Sequence, residues 1–305
     1  MNETNKSVRK ITPLEEMNVI DDFLFYEMLY DEEHGKEACR LILERVLKCS
    51  IGNIQYTAQK MIPGISETGQ GIRLDAYITE DVCDSEGRPD INVYDMEPDK
   101  RSYKKKSLPK RCRYYSDLID VQIVNSGIRY EKLPKIVIIF ILSYDPFDHG
   151  DMYYEAGTML KTHPDIPYDD GIRRIYLYTE GKLKKDADDN DKKLKNLLQY
   201  IRRSTEENVT DETTRRLDEL VKATKHKKDI GVKYMKSWEL ESELREEGRE
   251  EGREEERANT EAERRRADAA ESRAGEAESR ADAAEARVDE MKAELEKYKE
   301  KFGII

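Results

Sequence analysis

Seven apolar residues follow one another without a break in Lys135-Ile136-Val137-Ile138-Ile139-Phe140-Ile141-Leu142. A continuous run of this kind is a strand buried on both faces, so it belongs at the centre of a sheet. The neighbouring segments complete an α/β body, a mixed sheet flanked by helices. Residues from Pro13 to about Lys48 read as helix, with Phe23, Leu24, Met28, Leu29, Leu41, Ile42, Val46 and Leu47 at helical spacing and a break at Gly35. After a Pro63-Gly64 turn, Ile72, Leu74, Ala76 and Ile78 alternate with Arg73, Asp75, Tyr77 and Thr79, the pattern of a half-buried strand. A polar loop with Gly87 and Pro89 leads to a second strand over 91–97, ending at Pro98, and the two form a hairpin. Ser107 to Val124 is helix, opened by Leu108-Pro109; a further strand lies over 174–178, and Asp191 to Met235 is mostly helical.

Charge divides the chain. Between Glu239 and Lys301 there are 23 acids against 14 bases, whereas the rest of the sequence holds the other 43 acids and 40 bases. The body is therefore nearly neutral, and the overall charge of −12 belongs mostly to the tail. The tail repeats with a period of seven, placing Ala267/Ala270, Ala274/Ala277, Ala281/Ala284, Val288/Met291 and Leu295/Tyr298 on one seam. The organisation expected is a flexible N-terminus over 1–12, a globular domain over 13–236, a charged helical spacer over 237–266 and a coiled coil over 267–303 that pairs with another copy. The alternative for the tail is one exposed helix without a partner. Cys39, Cys49, Cys83 and Cys112 are too far apart for metal or redox pairs, and no segment approaches 18 continuous apolar residues. These features point to a cytoplasmic protein with no membrane partner. The four histidines, His34, His149, His163 and His226, show no ligand spacing.

The chemistry is concentrated in the hairpin. An antiparallel pairing across the 80–90 loop brings Asp75 near Asp95 and Glu97, all on one face, opposite Ile72, Leu74, Ala76 and Ile78. Like charges gathered on a sheet face are costly unless a cation compensates them, so this face is expected to open to a cleft and hold a metal. Just beyond it, Lys100, Arg101, Lys104, Lys105, Lys106, Lys110, Arg111 and Arg113 put eight bases within fourteen residues, with Tyr103 and Tyr114 interleaved. Beside a metal site such a stretch suits phosphate contacts; alone, it would be read as a solvated loop.

The segment Tyr94-Asp-Met-Glu-Pro-Asp-Lys100, preceded by Arg73-Leu-Asp-Ala-Tyr77 and followed by Leu108-Pro-Lys-Arg-Cys-Arg-Tyr-Tyr115, resembles the PD-(D/E)XK nuclease family transposases, also called Rpn-type recombination-promoting nucleases. The resemblance runs from Asp22-Phe23 through Tyr144-Asp-Pro-Phe147 to Val232-Lys-Tyr-Met235 and the Glu-Gly-Arg-rich start of the tail. It implies a restriction-endonuclease-like fold and Mg²⁺-dependent DNA endonuclease activity, with Mn²⁺ able to substitute, linked to recombination or mobile elements. It also implies Asp75 as the first metal-binding acid, Glu97 as the acid of the (D/E)-x-K element and the Pro98 carbonyl as a further ligand; Asp95 or Asp99 is expected to assist, Asp99 as an additional ligand. Asp22 is a second-tier acid, equally readable as an ordinary helix N-terminal residue. The motif's last position, Lys in general and often Gln in this family, is Asp99 here, and Lys100 follows. Strand alternation points residue 99 toward the metal. A turn at Pro98 would return the Lys100 ammonium to the attacking water, and the catalytic cation is expected there. Lys104, Lys105, Lys106, Lys110, Arg111, Arg113 and Tyr114 are the expected DNA contacts. The competing reading is a non-catalytic DNA- or protein-binding module on a degenerate nuclease fold.

Overall fold

The computed structural model describes residues 11–62, 72–83, 87, 89–124, 127 and 129–303. Residues 1–10, most of the expected flexible N-terminus, and the Pro63-Gly64 turn lie outside the described residues. The chain divides into two units, Met1–Met235 and Lys236–Ile305.

The first unit opens with α1 (Asp22–Leu29) and α2 (Gly35–Leu47). Gly35 does not interrupt a helix; it begins one, with Asp31 Oδ1 accepting from the N–H groups of Glu33 and His34 just ahead of it. A Cβ at position 35 would stand 2.2 Å from the Leu29 carbonyl oxygen and 2.5 Å from the Tyr56 hydroxyl, so only glycine permits this approach.

The sheet follows. β1 (Asn53–Ile62), absent from the sequence reading, pairs antiparallel with β2 (Ile72–Cys83), which pairs antiparallel with β3 (Pro89–Asp99). Only Ile54 and Ile62 of β1 are fully buried among its described side chains, so this edge strand carries little periodic signal. After α3 (Leu108–Val124) the chain enters β4 (Lys135–Leu142), parallel to β3, and β6 (Ile172–Tyr178) lies parallel to β4. The short β5 (Tyr153–Ala156), also unforeseen, is antiparallel to β6 and closes the order β1-β2-β3-β4-β6-β5.

β4 is the buried centre, no residue from Ile136 to Leu142 exceeding 5% exposure. Its Val137, Ile139 and Ile141 pack under α1, α2, α4 (Asp189–Arg202) and α5 (Glu212–Lys225), while Ile136, Ile138, Phe140 and Leu142 pack under Leu108, Cys112, Leu118 and Ile119 of α3. Capping boxes start both late helices, Asp188 with Asp191 and Asp211 with Thr214.

β3 does not end at Pro98. Pro98 is in register with Ile141 and Asp99 with Leu142, and the Asp99 carbonyl accepts from the Ser143 N–H. The sequence reading of a free turn at Pro98 is therefore corrected. The described β2–β3 ladder stops at Ala76↔Met96, so the side on which Pro98 lacks an N–H is the one without a partner strand.

The helix α6 (Ile230–Phe302) carries the tail. In the second unit its Gly248 and Gly252 do not interrupt it, and residues 239–301 are exposed throughout. Ion pairs one turn apart, Arg280 with Glu276 at 3.5 Å and Arg245 with Glu241, line its surface. Val288, Met291, Leu295 and Tyr298 are each 47–68% exposed in this single chain. No helix of the described residues is long and apolar enough to cross a membrane.

Candidate functional site

Asp95, Glu97 and Asp99 alternate along β3 onto the face that α3 covers. Asp75 of β2 meets Glu97, and the alternation expected of β2 is corrected there: Ile72 and Leu74 pack on the α3 side, whereas Ala76 and Ile78 pack on the opposite one. The two strands separate there. The Asp75 N–H donates to the Glu97 side chain, Oε1, at 2.9 Å instead of to a strand carbonyl.

The expected open cleft is corrected: Asp95 and Asp99 are fully buried and Glu97 is 2% exposed. The sequence placed these acids on one face but carried no signal that α3 would close over it. Neither carboxylate oxygen of Asp95 has a hydrogen-bond partner among the described residues. Burial, then the Asp75 charge, raises the Asp95 carboxyl well above the usual range; burial, then Asp95 and Asp75, does the same to Glu97. Asp75 is pushed up to about 6, by burial first and next by Asp22 at the start of α1. Asp22, the second-tier acid, is thus a neighbour of the site.

Asp99 behaves differently. Its Oδ1 accepts from the Arg101 N–H at 2.7 Å and Arg101 Nε at 3.0 Å, and its Oδ2 accepts from Arg111 Nη1 at 2.7 Å. Burial opposes its ionisation, but these donors outweigh burial and hold the carboxyl below its ordinary value. Both oxygens are engaged, which corrects the expectation of Asp99 as a ligand beside Asp75 and Glu97. Arg111 Nη2 also stands 3.9 Å from Glu97 Oε2, and its guanidinium lies 5.2 Å from the Phe140 ring centroid and 5.8 Å from that of Tyr115.

The Lys100 ammonium does not turn back to the carboxylates. It is paired with Asp21, because residue 100 continues the alternation to the opposite side. The cations whose charge reaches Asp75 are Arg73, Arg101 and Arg111. Of the expected DNA contacts, Lys104, Lys106, Lys110, Arg113 and Tyr114 are exposed on the turn Ser102–Ser107 and on α3, with Tyr103 beside them. Lys105 is half-buried and paired with Asp148. Arg111 is turned inward, a correction that the helical spacing could have supplied, since residue 111 stands one turn before Tyr115 beside the stripe Leu108, Cys112 and Ile119.

The donors suit a hard divalent cation: carboxylate oxygens of Asp75, Asp95 and Glu97, with buried unpartnered oxygens on Asp95. Since the Asp99 carbonyl faces β4, alternation aims the Pro98 carbonyl to the β2 side, where the ladder has opened. Among the described residues no three His, Cys, Asp or Glu side chains already surround a common point.

The family model described as PD-(D/E)XK nuclease family transposase matches residues 19–251. No curated relative and no solved structure matches the chain.

Proposed function

Since the chain belongs to the PD-(D/E)XK nuclease family transposases and has their restriction-endonuclease-like mixed sheet, we propose that it is a Mg²⁺-dependent DNA endonuclease acting in recombination or on mobile elements. The observation that carries this reading is Asp95: a fully buried carboxyl group with neither oxygen hydrogen-bonded among the described residues, beside Asp75 and Glu97. Such an arrangement is costly when ionised without a cation, and that cost supports the binding of one there. Asp75 and Glu97 would hold Mg²⁺, or Mn²⁺ in its place, with Asp95 and the Pro98 carbonyl assisting. A divalent ion bound there supplies Lewis-acid stabilisation of the phosphate and lowers the pKa of water. The exposed Lys104, Lys106, Lys110, Arg113 and Tyr114, with Lys105, would hold the DNA backbone. Residues 13–236 form the nuclease domain in this reading, and 237–266 form the spacer.

The tail would pair two copies through 267–303, the bulky Val288, Met291, Leu295 and Tyr298 dominating because alanine seams bury little area. The four free cysteines support a cytoplasmic setting.

A second reading is favoured by Asp99 at the motif's cation position: a degenerate nuclease fold that binds DNA or protein without cutting. Incubation with supercoiled plasmid in Mg²⁺ and in EDTA decides. Nicking or linearisation in Mg²⁺ alone is expected; intact plasmid under both conditions overturns the endonuclease reading.

A further inference from the structure

The nuclease motif ends in a residue whose cation stabilises the charge that builds on the reacting phosphate. Here that residue is an aspartate, which by itself would add negative charge to three neighbouring carboxylates. Asp99, however, is bound on both oxygens by guanidinium groups. Arg111 reaches it from α3 at 2.7 Å and Arg101 from the turn after β3 at 3.0 Å. An arginine presents five donors in a rigid plane, so with Nη1 bonded to Asp99 and a further hydrogen bond to the Tyr115 side chain, donors still remain for another acceptor. Nη2 stands 3.9 Å from Glu97 Oε2, within ion-pair range, and the rings of Phe140 and Tyr115 flank the guanidinium.

We propose that Arg111 is the catalytic cation of this chain, and that Asp99 is a positioning residue which holds the Arg111 guanidinium beside Glu97. This rests on the nuclease reading. The positive charge that the motif ordinarily places on β3 arrives instead from α3, and the aspartate that displaced it has become its anchor. An Nη2 donor beside Glu97 can donate to a non-bridging oxygen of a phosphate held at Asp75 and Glu97, stabilising charge that is larger in the transition state than in the substrate. Lys100, committed to Asp21 on the other side of the strand, takes no part.

The test uses the full-length protein, supercoiled plasmid in Mg²⁺, and Mn²⁺ titrations by calorimetry. Arg111→Met keeps an apolar stem against Phe140 and Tyr115 and should cleave about 100-fold more slowly, the loss typical of one transition-state donor. Its Mn²⁺ affinity should be retained, since a cation beside the site has been removed rather than a ligand. Asp99→Asn should lose less cleavage and also keep its Mn²⁺ affinity; a drop of about 10- to 100-fold, the range for groups that support a metal, would overturn the assignment of Asp99. Because Arg111→Met strands a buried aspartate and can unfold the protein, a pair of double variants carries the same question. Asp99→Lys/Arg111→Met restores the motif's own cation, whereas Asp99→Asn/Arg111→Met has none. Cleavage at least about tenfold faster in the first supports the proposal, and equal rates overturn it. An inert parent protein defeats the nuclease reading itself, while an active parent matched by an equally active Arg111→Met variant defeats this inference alone.

Discussion

Between Glu239 and Lys301 stand 23 acidic side chains, all on exposed positions of one helix, where water and arginines one turn away compensate them. Of the four on β3, Asp90 is half-buried, whereas Asp95, Glu97 and Asp99 are buried, and these three divide again: Asp99 is clamped by two arginines while Asp95 has no partner among the described residues. Charge density in sequence is thus a poor guide to where electrostatic free energy is stored. A solvated acid in a helix contributes a few tenths of a kcal/mol whichever way it is changed, but a desolvated one without a donor is strained. Glu80 makes the point within the sheet: also buried, it accepts from the Gly52 N–H at 2.6 Å and the Tyr94 hydroxyl at 2.5 Å. Asp95 alone of these has neither oxygen hydrogen-bonded among the described residues.

The contrast is sharpest when the strained acids are removed. Asp75→Ala and Glu97→Ala should each reduce Mg²⁺-dependent plasmid cleavage more than about 100-fold, since loss of metal stabilisation is worth several kcal/mol. Thermal melts should show the fold retained. If both variants cut at the parent rate, the metal site lies elsewhere.

The second test is pH. Asp75, Asp95 and Glu97 all hold their protons more tightly in the folded metal-free protein than in the unfolded chain. The native state then binds more protons, so stability falls as pH rises. For Asp75 the loss runs from its ordinary value near 3.8 up to about 6, and the two more deeply buried acids carry it to higher pH. Asp95→Asn should therefore stabilise the metal-free protein by about 1–2 kcal/mol at pH 8, with no gain at pH 4. Urea unfolding at the two pH values measures this, and a substitution that destabilises equally at both would break the contrast with the tail.

In the tail the expected effects are smaller. Truncation after about residue 285 removes Val288, Met291, Leu295 and Tyr298 and should convert a self-associated protein into monomers, lowering the mass from light scattering by about half for a two-stranded coil. The same oligomer for both lengths would leave the exposed seam without this role. The smallest change is expected from Lys104→Ala: a few-fold weaker DNA binding, uniform across sequences, with the slope of log affinity against log salt reduced by about 1. A loss of cutting as deep as that of Arg111→Met would move Lys104 into the reaction.

The sequence determined which side of β3 and β4 a residue occupies. Period-two alternation placed Asp95, Glu97 and Asp99 together, and the apolar run at 136–142 placed β4 at the centre, whereas in β2 the alternation breaks at Asp75, with Ile72 and Leu74 on the α3 side and Ala76 and Ile78 on the other. Even a hairpin register off by two residues leaves those faces unchanged. The heptads and charge of the tail likewise announced a helix, since i to i+3 and i+4 neighbours are local. What only the tertiary structure decided is which face is dry. Burial of Asp95 depends on α3 and β4, which lie beyond it in the chain, and desolvation has no local period to read. For the same reason Arg111 read as one more member of a basic run, until packing against Phe140 and the hydrogen bond to Asp99 turned it away from solvent. Lys100, one residue from Asp99, went the other way to Asp21, because neighbours in a strand face opposite sides and meet different parts of the fold.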